Sequence, residues 1–369
     1  MNSKNFQTFF ECGSSKVRAG VFNRVNEKEA FYAESEFFTD QSNLELKIEE
    51  IIMSFEKDTG EYIDNINLML DSPKMLSISI SVSKKLDGSK LKQPHVQFLV
   101  QEAKQQILKY YTDYSIAHII INNYKIDDVD YSYIPDEIKC HSISLDILFI
   151  CLPSDLVFYL KNIFSKCNIL INQIICSGYA KSINYKENLN LVRNISFIDV
   201  GFNKTSIISY SNDKILSLDI LPIGGNHITK DISQILEINL EQSEQVKRNF
   251  VQNHILLNEK DISIETLQKI IFARTEEILE LSAKSIKSNS FILGNFKMVL
   301  MGEGSKILDN RYKDEISFPN NIDFLEETLE NICQSGLKLG MGLNKQEVVV
   351  VPKNQIKLGF FEKLFHFFK

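Results

Sequence analysis

Residues 195–206 have the types and spacing of an anion-binding hairpin. An apolar run ends at Asp199, a glycine follows two residues later, and a polar turn leads into a second apolar run. This order predicts a strand, a tight turn and a return strand. A glycine lets the backbone approach a phosphate closely, and successive turn amides beside a lysine favour an anion. The turn residues that we expect at the anion are Gly201, Phe202, Asn203, Lys204 and Thr205.

The same pattern occurs about half the chain length earlier, between Glu11 and Lys16. It again contains an acid, an apolar residue, a glycine, two spacers and a lysine, and apolar strands flank it. Two such hairpins at this spacing predict a duplicated, two-lobed fold that holds a nucleotide between its halves. The turn residues of this copy that we expect at the anion are Gly13, Ser14, Ser15 and Lys16.

Two further glycine-rich turns follow predicted strands. Gly224, Gly225 and Asn226 come after the predicted strand Lys214–Leu221 and open a helix. A helix N-terminus favours a phosphate, so this loop is a candidate for the phosphate side of the site. Its neighbour His227 we interpret as a hydrogen-bonded histidine, not as an acid or base. The other turn consists of Gly302, Glu303 and Gly304.

Hydrophobic periodicity predicts the elements that position these turns, and it indicates an α/β protein. Glu29–Phe38 is expected to form a pair of strands. The other predicted strands are Ile66–Leu70, Met75–Val82, Ala117–Asn122, Ser142–Leu152, Ile169–Ile175 and Phe296–Leu300. The predicted helices are 43–57, one opened by Pro94, Leu156–Cys167, 241–249, 265–287 and 328–343. We interpret segment 83–158 as a small α/β insertion in the first lobe.

Composition excludes several classes of protein. The net charge of −7 argues against nucleic acid as the main partner, because phosphate backbones need a basic surface. No basic-apolar leader opens the chain, and no apolar run approaches the length of roughly 18 residues that a membrane span needs. The six cysteines have no metal or redox spacing, so we expect reduced, cytosolic core residues. The acidic segment 127–130 is interpreted as a solvated loop.

The last residues of the chain predict an amphipathic helix. At about 100° per residue, apolar side chains cover one half of this helix and lysines lie on the other half. Such a helix is suited to an anionic membrane surface. The alternative is a terminal helix that docks on its own domain. The expected membrane-binding residues are Ile356, Leu358, Phe360, Phe361, Lys363, Leu364, Phe365, Phe367, Phe368 and Lys369.

These motifs together resemble the FtsA family, the bacterial cell-division branch of the actin-like proteins. The first hairpin resembles that family's phosphate-1 motif, and Phe197–Ser206 resembles its phosphate-2 motif. The segment 220–232 resembles a block that follows phosphate 2 in this family. Glu244 and Lys247 resemble its Glu-x-x-Lys helix, whose side chains face the nucleoside, and Val299–Ser305 resembles its adenosine motif. The resemblance spans residues 6–343 in order.

The resemblance implies an actin-like, two-lobed duplicated fold with a nucleotide cleft and an inserted subdomain, 1C. It implies ATP and Mg²⁺ in the cleft, with Glu11 and Asp199 acting on the metal through water. The implied subdomains are 1A (1–82 and 159–193), 1C (83–158), 2A (194–230 and 300–350) and 2B (231–299), followed by a linker and membrane-targeting helix (351–369).

The same resemblance implies partners and a location. We expect self-association into protofilaments, binding of the FtsZ C-terminal tail through 231–299, and contact with other division membrane proteins through 83–158. The location implied is the cytoplasmic face of the bacterial inner membrane at the division septum, where the protein is peripheral and part of the divisome.

The sequence departs from the family pattern at its phosphate loops. Glu11 stands where aspartate is usual, Phe202 and Asn203 replace glycines, and Ser206 replaces an acid. No base for activating water is evident near Ser177, so we expect ATP to be hydrolysed slowly or not at all. Two alternatives stay open: an adaptor of the PilM type that acts in pilus assembly, and a sugar or acetate kinase of the same superfold.

Overall fold

The computed structural model describes residues 5–26, 29–37, 43–135, 138–189, 193–212, 214–252, 263–289, 297–308, 322–340 and 347–348. The predicted amphipathic tail, with its membrane-binding residues from Ile356 to Lys369, lies outside the described residues. None of the helices in these ranges has the length and the apolar run needed to cross a bilayer.

The sheet of the first lobe has five strands in the spatial order β3-β2-β1-β4-β9. Neighbours among β1, β2 and β3 are antiparallel, whereas β1, β4 and β9 run parallel to one another. The strand that leads into the first predicted anion turn, β1, therefore lies at the centre of the sheet. The strands are β1 Phe6–Cys12, β2 Lys16–Asn23, β3 Ala30–Glu36, β4 Asn65–Leu70 and β9 Leu170–Cys176.

The sheet of the second lobe has the same strand order and the same strand directions. Its order is β12-β11-β10-β13-β14, with the first three strands antiparallel and the last three parallel. The central strand β10 leads into the second predicted anion turn. This correspondence confirms the predicted duplication. The strands are β10 Asn194–Val200, β11 Thr205–Ser211, β12 Lys214–Leu221, β13 Lys297–Met301 and β14 Ile322–Phe324.

A third sheet has its own apolar core, and four of its five strands are inserted between β4 and β9. In β5, half-buried isoleucines alternate with exposed serines, so one face of the strand packs inward. Helix α2 (Gln93–Tyr110) packs against β5 and β8. The strands are β5 Leu76–Lys85, β6 Tyr114–Ile126, β7 Val129–Tyr131, β8 Ser142–Pro153 and β15 Glu347–Val348. The subdomain boundaries themselves stay predictions.

Two helices connect the lobes and cross over each other. Helix α4 (Ser177–Asn188) follows the last strand of the first lobe and packs against β11 of the second lobe. Helix α8 (Leu329–Gly340) follows the last strand of the second lobe and packs against β1, β2 and β3 of the first. One buried apolar cluster includes residues of both helices and of both sheets. The remaining helices are α1 Leu44–Thr59, α3 Ser154–Lys166, α5 Gly225–Leu236, α6 Leu240–Gln252 and α7 Ile264–Asn289.

Most predicted elements are confirmed, and one expectation is wrong. Glu29–Phe38 holds one strand, because β3 pairs with β2 from end to end and no residues remain for a turn. The acidic segment 127–130 is solvent-exposed, and its first two residues form the turn between β6 and β7, so the prediction of a solvated loop is confirmed. The Asp127 carboxylate accepts hydrogen bonds from the N–H groups of His141 and Ser142, both at 2.8 Å, and thereby attaches the β6-β7 turn to the start of β8. All six cysteines are free, and five of them are buried.

Candidate functional site

The two predicted anion turns have the same backbone geometry. In the first, the Gly13 N–H donates to the Lys16 carbonyl at 2.9 Å, and in the second the Gly201 N–H donates to the Lys204 carbonyl at 2.8 Å. Each hydrogen bond closes a four-residue turn between a central strand and its antiparallel neighbour. The two turns therefore present their lysines and their polar backbone from equivalent positions of the two lobes.

Both turns open onto one cavity of about 470 Å³ between the lobes. This volume lies within the range of about 300–1,000 Å³ that is usual for small-molecule sites. The structure brings fifteen of the predicted site residues to its wall: Glu11, Gly13, Ser14, Ser15, Lys16, Asp199, Gly201, Phe202, Lys204, Gly225, Glu244, Lys247, Gly302, Glu303 and Gly304. That they bind a nucleotide stays a prediction.

Four predicted residues support the second turn and do not line the cavity. The Asn226 N–H donates to the Phe202 carbonyl at 2.7 Å, and its side-chain amide donates to Asn203 Oδ1 at 2.9 Å. The Thr205 hydroxyl donates to the Ile223 carbonyl at 2.8 Å. Together these bonds attach the turn to the start of α5. Gly224 lies in the same contact, between the second turn and the start of α5.

Glycine is required at Gly224 by a close approach of two backbones. A Cβ atom at this position would lie 2.5 Å from the Gly201 carbonyl oxygen and 2.8 Å from that of Phe202. The N–H of Gly224 donates to His227 Nδ1 at 3.1 Å, as expected for a hydrogen-bonded histidine. Gly302 has a comparable constraint, because its φ is +89° and a Cβ there would meet Asp199 Oδ1 at 2.4 Å.

The predicted nucleoside-facing pair lies on α6. Lys247 Nζ is 2.5 Å from Glu244 Oε2 and also donates to the Gly225 carbonyl at 3.0 Å. Arg248 donates to the other oxygen of Glu244 at 2.9 Å. The lysine ammonium lies 5.7 Å from the ring centre of Phe202, within range of a cation–π contact. Phe202, which replaces a glycine of the family motif, thus packs toward α6.

Ion pairs cross the cleft from one lobe to the other. Glu303 of the second lobe pairs with two cations of β2. Its Oε1 atom lies 2.7 Å from Lys16 Nζ and 3.0 Å from Arg18 Nη2. Lys204 in the second turn pairs at 2.8 Å with Asp71, which follows β4. At the more exposed rim, Arg248 pairs with Glu36 at 2.8 Å. Each lysine of the two anion turns therefore has a carboxylate partner on the opposite lobe.

The two predicted metal-associated acids are paired with cations as well. Glu11 Oε2 accepts Arg18 at 2.8 Å, and Asp199 Oδ2 lies 2.7 Å from the ammonium of Lys181 on α4. Among the described residues, no three Asp, Glu, His or Cys side chains are grouped so that they could hold a metal ion. At both acids a magnesium ion would therefore compete with a cation of the chain itself.

Charges in the cavity wall balance. Within the described part of the chain, seven acidic and seven basic side chains line it: Glu11, Glu36, Asp71, Asp199, Glu244, Glu303, Glu327, Lys16, Arg18, Lys181, Lys204, Lys247, Arg248 and Lys306. Sequence reasoning missed Arg18, Glu36, Asp71, Lys181, Arg248, Lys306 and Glu327. Only Asp71 had a usable signal, since an acid directly after a buried parallel strand lies at the edge where ligands bind.

Burial and pairing shift the pKa values of these groups in opposing directions. Burial alone would raise the pKa of Asp71, but Lys204 outweighs burial and holds it below its usual value. Burial would also raise the pKa of Glu303, yet Arg18 and Lys16 hold it down at about 2. The pKa of Lys181 would fall on burial alone, but Asp199, Glu327 and Glu11 keep it well above its usual value. These groups are therefore charged at neutral pH.

Comparison with known proteins agrees with this geometry. A family model described as "Cell division protein FtsA" matches residues 196–338, from β10 and its anion turn to α8. The predicted resemblance to the FtsA family is confirmed. FtsA of Buchnera aphidicola subsp. Schizaphis graminum is 24% identical over 264 residues, and FtsA of Agrobacterium fabrum is 21% identical over 274. Each match covers 68% of this chain and 61% of the relative, so the chain spans less than two thirds of either FtsA protein.

Solved structures show the fold. A chain of the PilM-PilN type IV pilus biogenesis complex aligns with a TM-score of 0.62 at 13% identity, covering 91% of this chain and 96% of that one. The ethanolamine utilization protein EutJ from Carboxydothermus hydrogenoformans aligns with a TM-score of 0.51 at 9% identity, covering 91% and 90%. With its two duplicated sheets and interlobe cavity, the chain has the predicted actin-like fold.

The described residues of this cleft fit a nucleotide and do not fit a magnesium ion. The cavity has the required volume, and Ser177 Oγ in its wall is buried without a hydrogen-bond partner among the described residues. An unsatisfied buried hydroxyl is costly, so this atom favours a polar ligand or water. In contrast, Glu11 and Asp199 each hold a cationic side chain at hydrogen-bond distance, where a metal or its water would have to lie.

Replacing Gly224 by alanine should destabilise the second turn by about 1–3 kcal/mol, because the new methyl group would overlap the Gly201 carbonyl. Gly225→Ala is the matched control, since a Cβ there would meet Lys247 Nζ at 3.6 Å and the Gly201 carbonyl oxygen at 3.7 Å, both ordinary contact distances. Chemical denaturation of both variants measures the difference. Equal stability of the two would contradict the assigned close approach.

Glu303 should contribute stability that disappears in acid. Its folded pKa, about 2, lies below the ordinary value of 4.5, so the contribution is present above pH 4.5 and is lost as the pH falls toward 2. In Glu303→Gln the free energy of unfolding should fall less steeply across this window, measured by denaturation at several pH values. Glu326→Gln, at an exposed position, is the control. Parallel curves for Glu303→Gln and the wild type would refute the assignment.

Proposed function

We propose that this chain is an actin-like, ATP-binding cell-division adaptor that self-associates on the inner face of the bacterial membrane. In this proposal it tethers FtsZ filaments there and recruits later division proteins. The observation that carries the proposal is the FtsA family match over residues 196–338, which includes one of the two turns that open onto the cavity. The names of the relatives describe a role in cell division for the relatives themselves. For this chain that role is part of the proposal.

The nucleotide would bind with its phosphates at the two turns and its adenosine toward α6. The backbone of Gly13–Lys16 and of Gly201–Thr205 would contact the phosphates. Glu244 and Lys247 would face the nucleoside beside the Gly302–Gly304 turn, and Gly224, Gly225 and Asn226 would hold the phosphate side in place. Bound ATP would supply the phosphoanhydride bonds that can be hydrolysed. The residues named above would bind the nucleotide and orient it.

Hydrolysis should be slow because, in the part of the chain that the structure describes, no free base faces the phosphate side. The acid closest to the start of α4 is Asp71, and its carboxylate already accepts the Lys204 ammonium, the Gly178 N–H and the Cys176 thiol. An acid with these three donors and a lowered pKa is a poor proton acceptor. Ser177 offers only a neutral hydroxyl. The proposed ATP therefore acts as a bound ligand more than as a substrate.

The proposed partners divide over the chain. The FtsZ tail would bind within 231–299, where Arg274 of α7 fixes α5 through two bonds to Asp231, at 2.6 and 2.8 Å. The exposed face of α7 has a shallow depression beside Phe272, suited to a short peptide with an apolar side chain. Later division proteins would contact 83–158, and the tail from Ile356 would bind anionic lipid. The protein would be peripheral, at the division septum.

An adaptor for pilus assembly is the second candidate. The structural similarity to a chain of the PilM-PilN complex, at a TM-score of 0.62, favours it. At 13% identity this similarity shows the fold alone, whereas the sequence matches point to FtsA. The predicted membrane helix separates the two candidates, because a pilus-type adaptor would reach the membrane through a partner.

Single-turnover measurements should detect little hydrolysis of bound ATP. We expect a first-order rate below that of ordinary kinases, which turn over at about 1–100 per second, by at least about a thousandfold. The measurement mixes excess protein with labelled ATP and follows the release of phosphate. A Lys204→Met variant controls for contaminating ATPases, since it alters a residue of the anion turn. A fast rate that disappears in Lys204→Met would contradict the proposal.

Co-sedimentation with anionic liposomes tests the membrane part of the proposal. The full chain should pellet with the liposomes, and a chain truncated after Gln355 should not, because the apolar face of the tail inserts among the lipids. High salt should weaken the binding, since the lysines of the tail are attracted to anionic lipid.

Two substitutions give a matched pair for this test. Leu364→Asp places a charge on the apolar face of the tail and should abolish pelleting, whereas Glu362→Ala, on the polar face, should not. If the full chain and the truncated chain both stay in the supernatant, the tail is not a membrane anchor. The pilus-type adaptor would then become the better candidate.

A further inference from the structure

Lys181 lies on α4, and its side chain lines the charged cleft. Its ammonium lies 2.7 Å from Asp199 Oδ2 and 3.3 Å from Glu327 Oε2, and all three side chains are less than a tenth exposed. The second oxygen of Glu327 accepts the hydroxyl of Tyr185 at 2.9 Å. Lys181 is thus a buried cation with two carboxylate partners, on a helix that connects the lobes.

This position coincides with the place that the FtsA resemblance assigns to Mg²⁺. The two acids expected to act on the metal are Glu11 and Asp199, which end the two central strands. Lys181 contacts Asp199 directly, and the Glu11 carboxylate is close enough to act on its charge. The other side of Glu11 is occupied by Arg18 at 2.8 Å. Both acids therefore already have a positive partner from the chain itself.

We propose that the ammonium of Lys181 takes the place of the divalent metal, so that the cleft binds its nucleotide without Mg²⁺. This inference rests on the proposed ATP site and deepens it. An ammonium supplies a compact positive charge and three hydrogen-bond donors, which suit the oxygens of carboxylates and of phosphates. As part of α4, it is present whether or not divalent metal ions are available.

Electrostatics makes the two cations mutually exclusive. A divalent ion near Asp199 would lie within a few ångströms of the lysine charge, and in a buried site this repulsion is only weakly screened. Moving Lys181 aside would leave a buried charge without its partners, which is costly. The lysine is fixed on a helix that packs against both α8 and β11, so a large displacement would disturb the connection between the lobes.

Mn²⁺ binding, followed by electron paramagnetic resonance in the absence of nucleotide, tests the metal side directly. The signal of free Mn²⁺ should be the same in a solution of the wild type as in a solution of Lys161→Met. This control variant lacks an exposed lysine of α3. Lys181→Met should bind an additional Mn²⁺ per chain, and Asp199→Asn in the Lys181→Met background should remove it. A wild-type chain that binds Mn²⁺ through Asp199 would overturn the proposal, as would no additional binding by Lys181→Met.

Binding of a fluorescent ATP analogue with Mg²⁺ or with EDTA tests the nucleotide side. We expect the wild-type Kd to differ by less than about threefold between the two conditions. In Lys181→Met, binding in EDTA should weaken by at least about tenfold, and Mg²⁺ should restore it. A wild-type requirement for Mg²⁺ would overturn the proposal. A wild type that binds no analogue in either condition would refute the proposed ATP site, and the Mn²⁺ result would still decide the role of Lys181.

The proposal can still be tested if the Lys181→Met variant does not fold. Lys181→Met leaves two buried carboxylates without their partner, so circular dichroism must first show that it is folded. If it is not, Lys181→Met combined with Glu327→Gln removes one charge of each sign and is examined in the same way. The wild-type measurements need no variant and can overturn the proposal by themselves.

Discussion

Charged side chains that pair across the cleft are the constraint on which this structure depends, and the Lys204–Asp71 pair among them is buried. Lys16 and Arg18 pair with Glu303, and Lys204 pairs with Asp71, each time between the first and the second lobe. A buried charge that loses its partner is strongly destabilising. Opening the cleft would therefore require each of these groups to become hydrated or to find a new partner. The lobes are joined by electrostatics at the mouth of the cavity and by apolar packing of α4 and α8 behind it.

Duplication explains how these charges come to face one another. Both lobes carry the same sheet, and both central strands end at a turn closed by the same glycine-to-lysine hydrogen bond. Each connecting helix follows the sheet of one lobe and packs against the sheet of the other lobe. Each turn therefore lies opposite the other lobe. The lysine that ends each turn then points toward a carboxylate of the other half, Glu303 for Lys16 and Asp71 for Lys204. The second copy differs by the bulky Phe202, whose ring is accommodated beside Lys247.

The sequence was most informative where local pattern and structure coincide. The acid-glycine-lysine spacing predicted both hairpins, and alternation or helical periodicity predicted most elements, including β12 from Lys214 to Leu221. Charge partners were not predictable in this way. Lys181 and Glu327 are far apart in sequence and have no periodic signature, yet they meet because α4 and the loop before α8 converge. The hydrogen-bond partners of Asp127 were not predictable either, since His141 and Ser142 lie at the start of β8 and are distant in sequence.

A cleft whose cations are already paired changes what a nucleotide can do there. An incoming triphosphate would have to take Lys16 and Lys204 away from Glu303 and Asp71, which are held as anions by those same lysines. The displaced carboxylates would then lie next to the phosphates, and this like-charge repulsion reduces the net gain from binding. Affinity in such a site depends on the whole balance of charge and only partly on the phosphate turns. Under the proposed function this favours an adaptor over an enzyme, because the chain's own side chains hold the lobes in the arrangement that its partners would recognise.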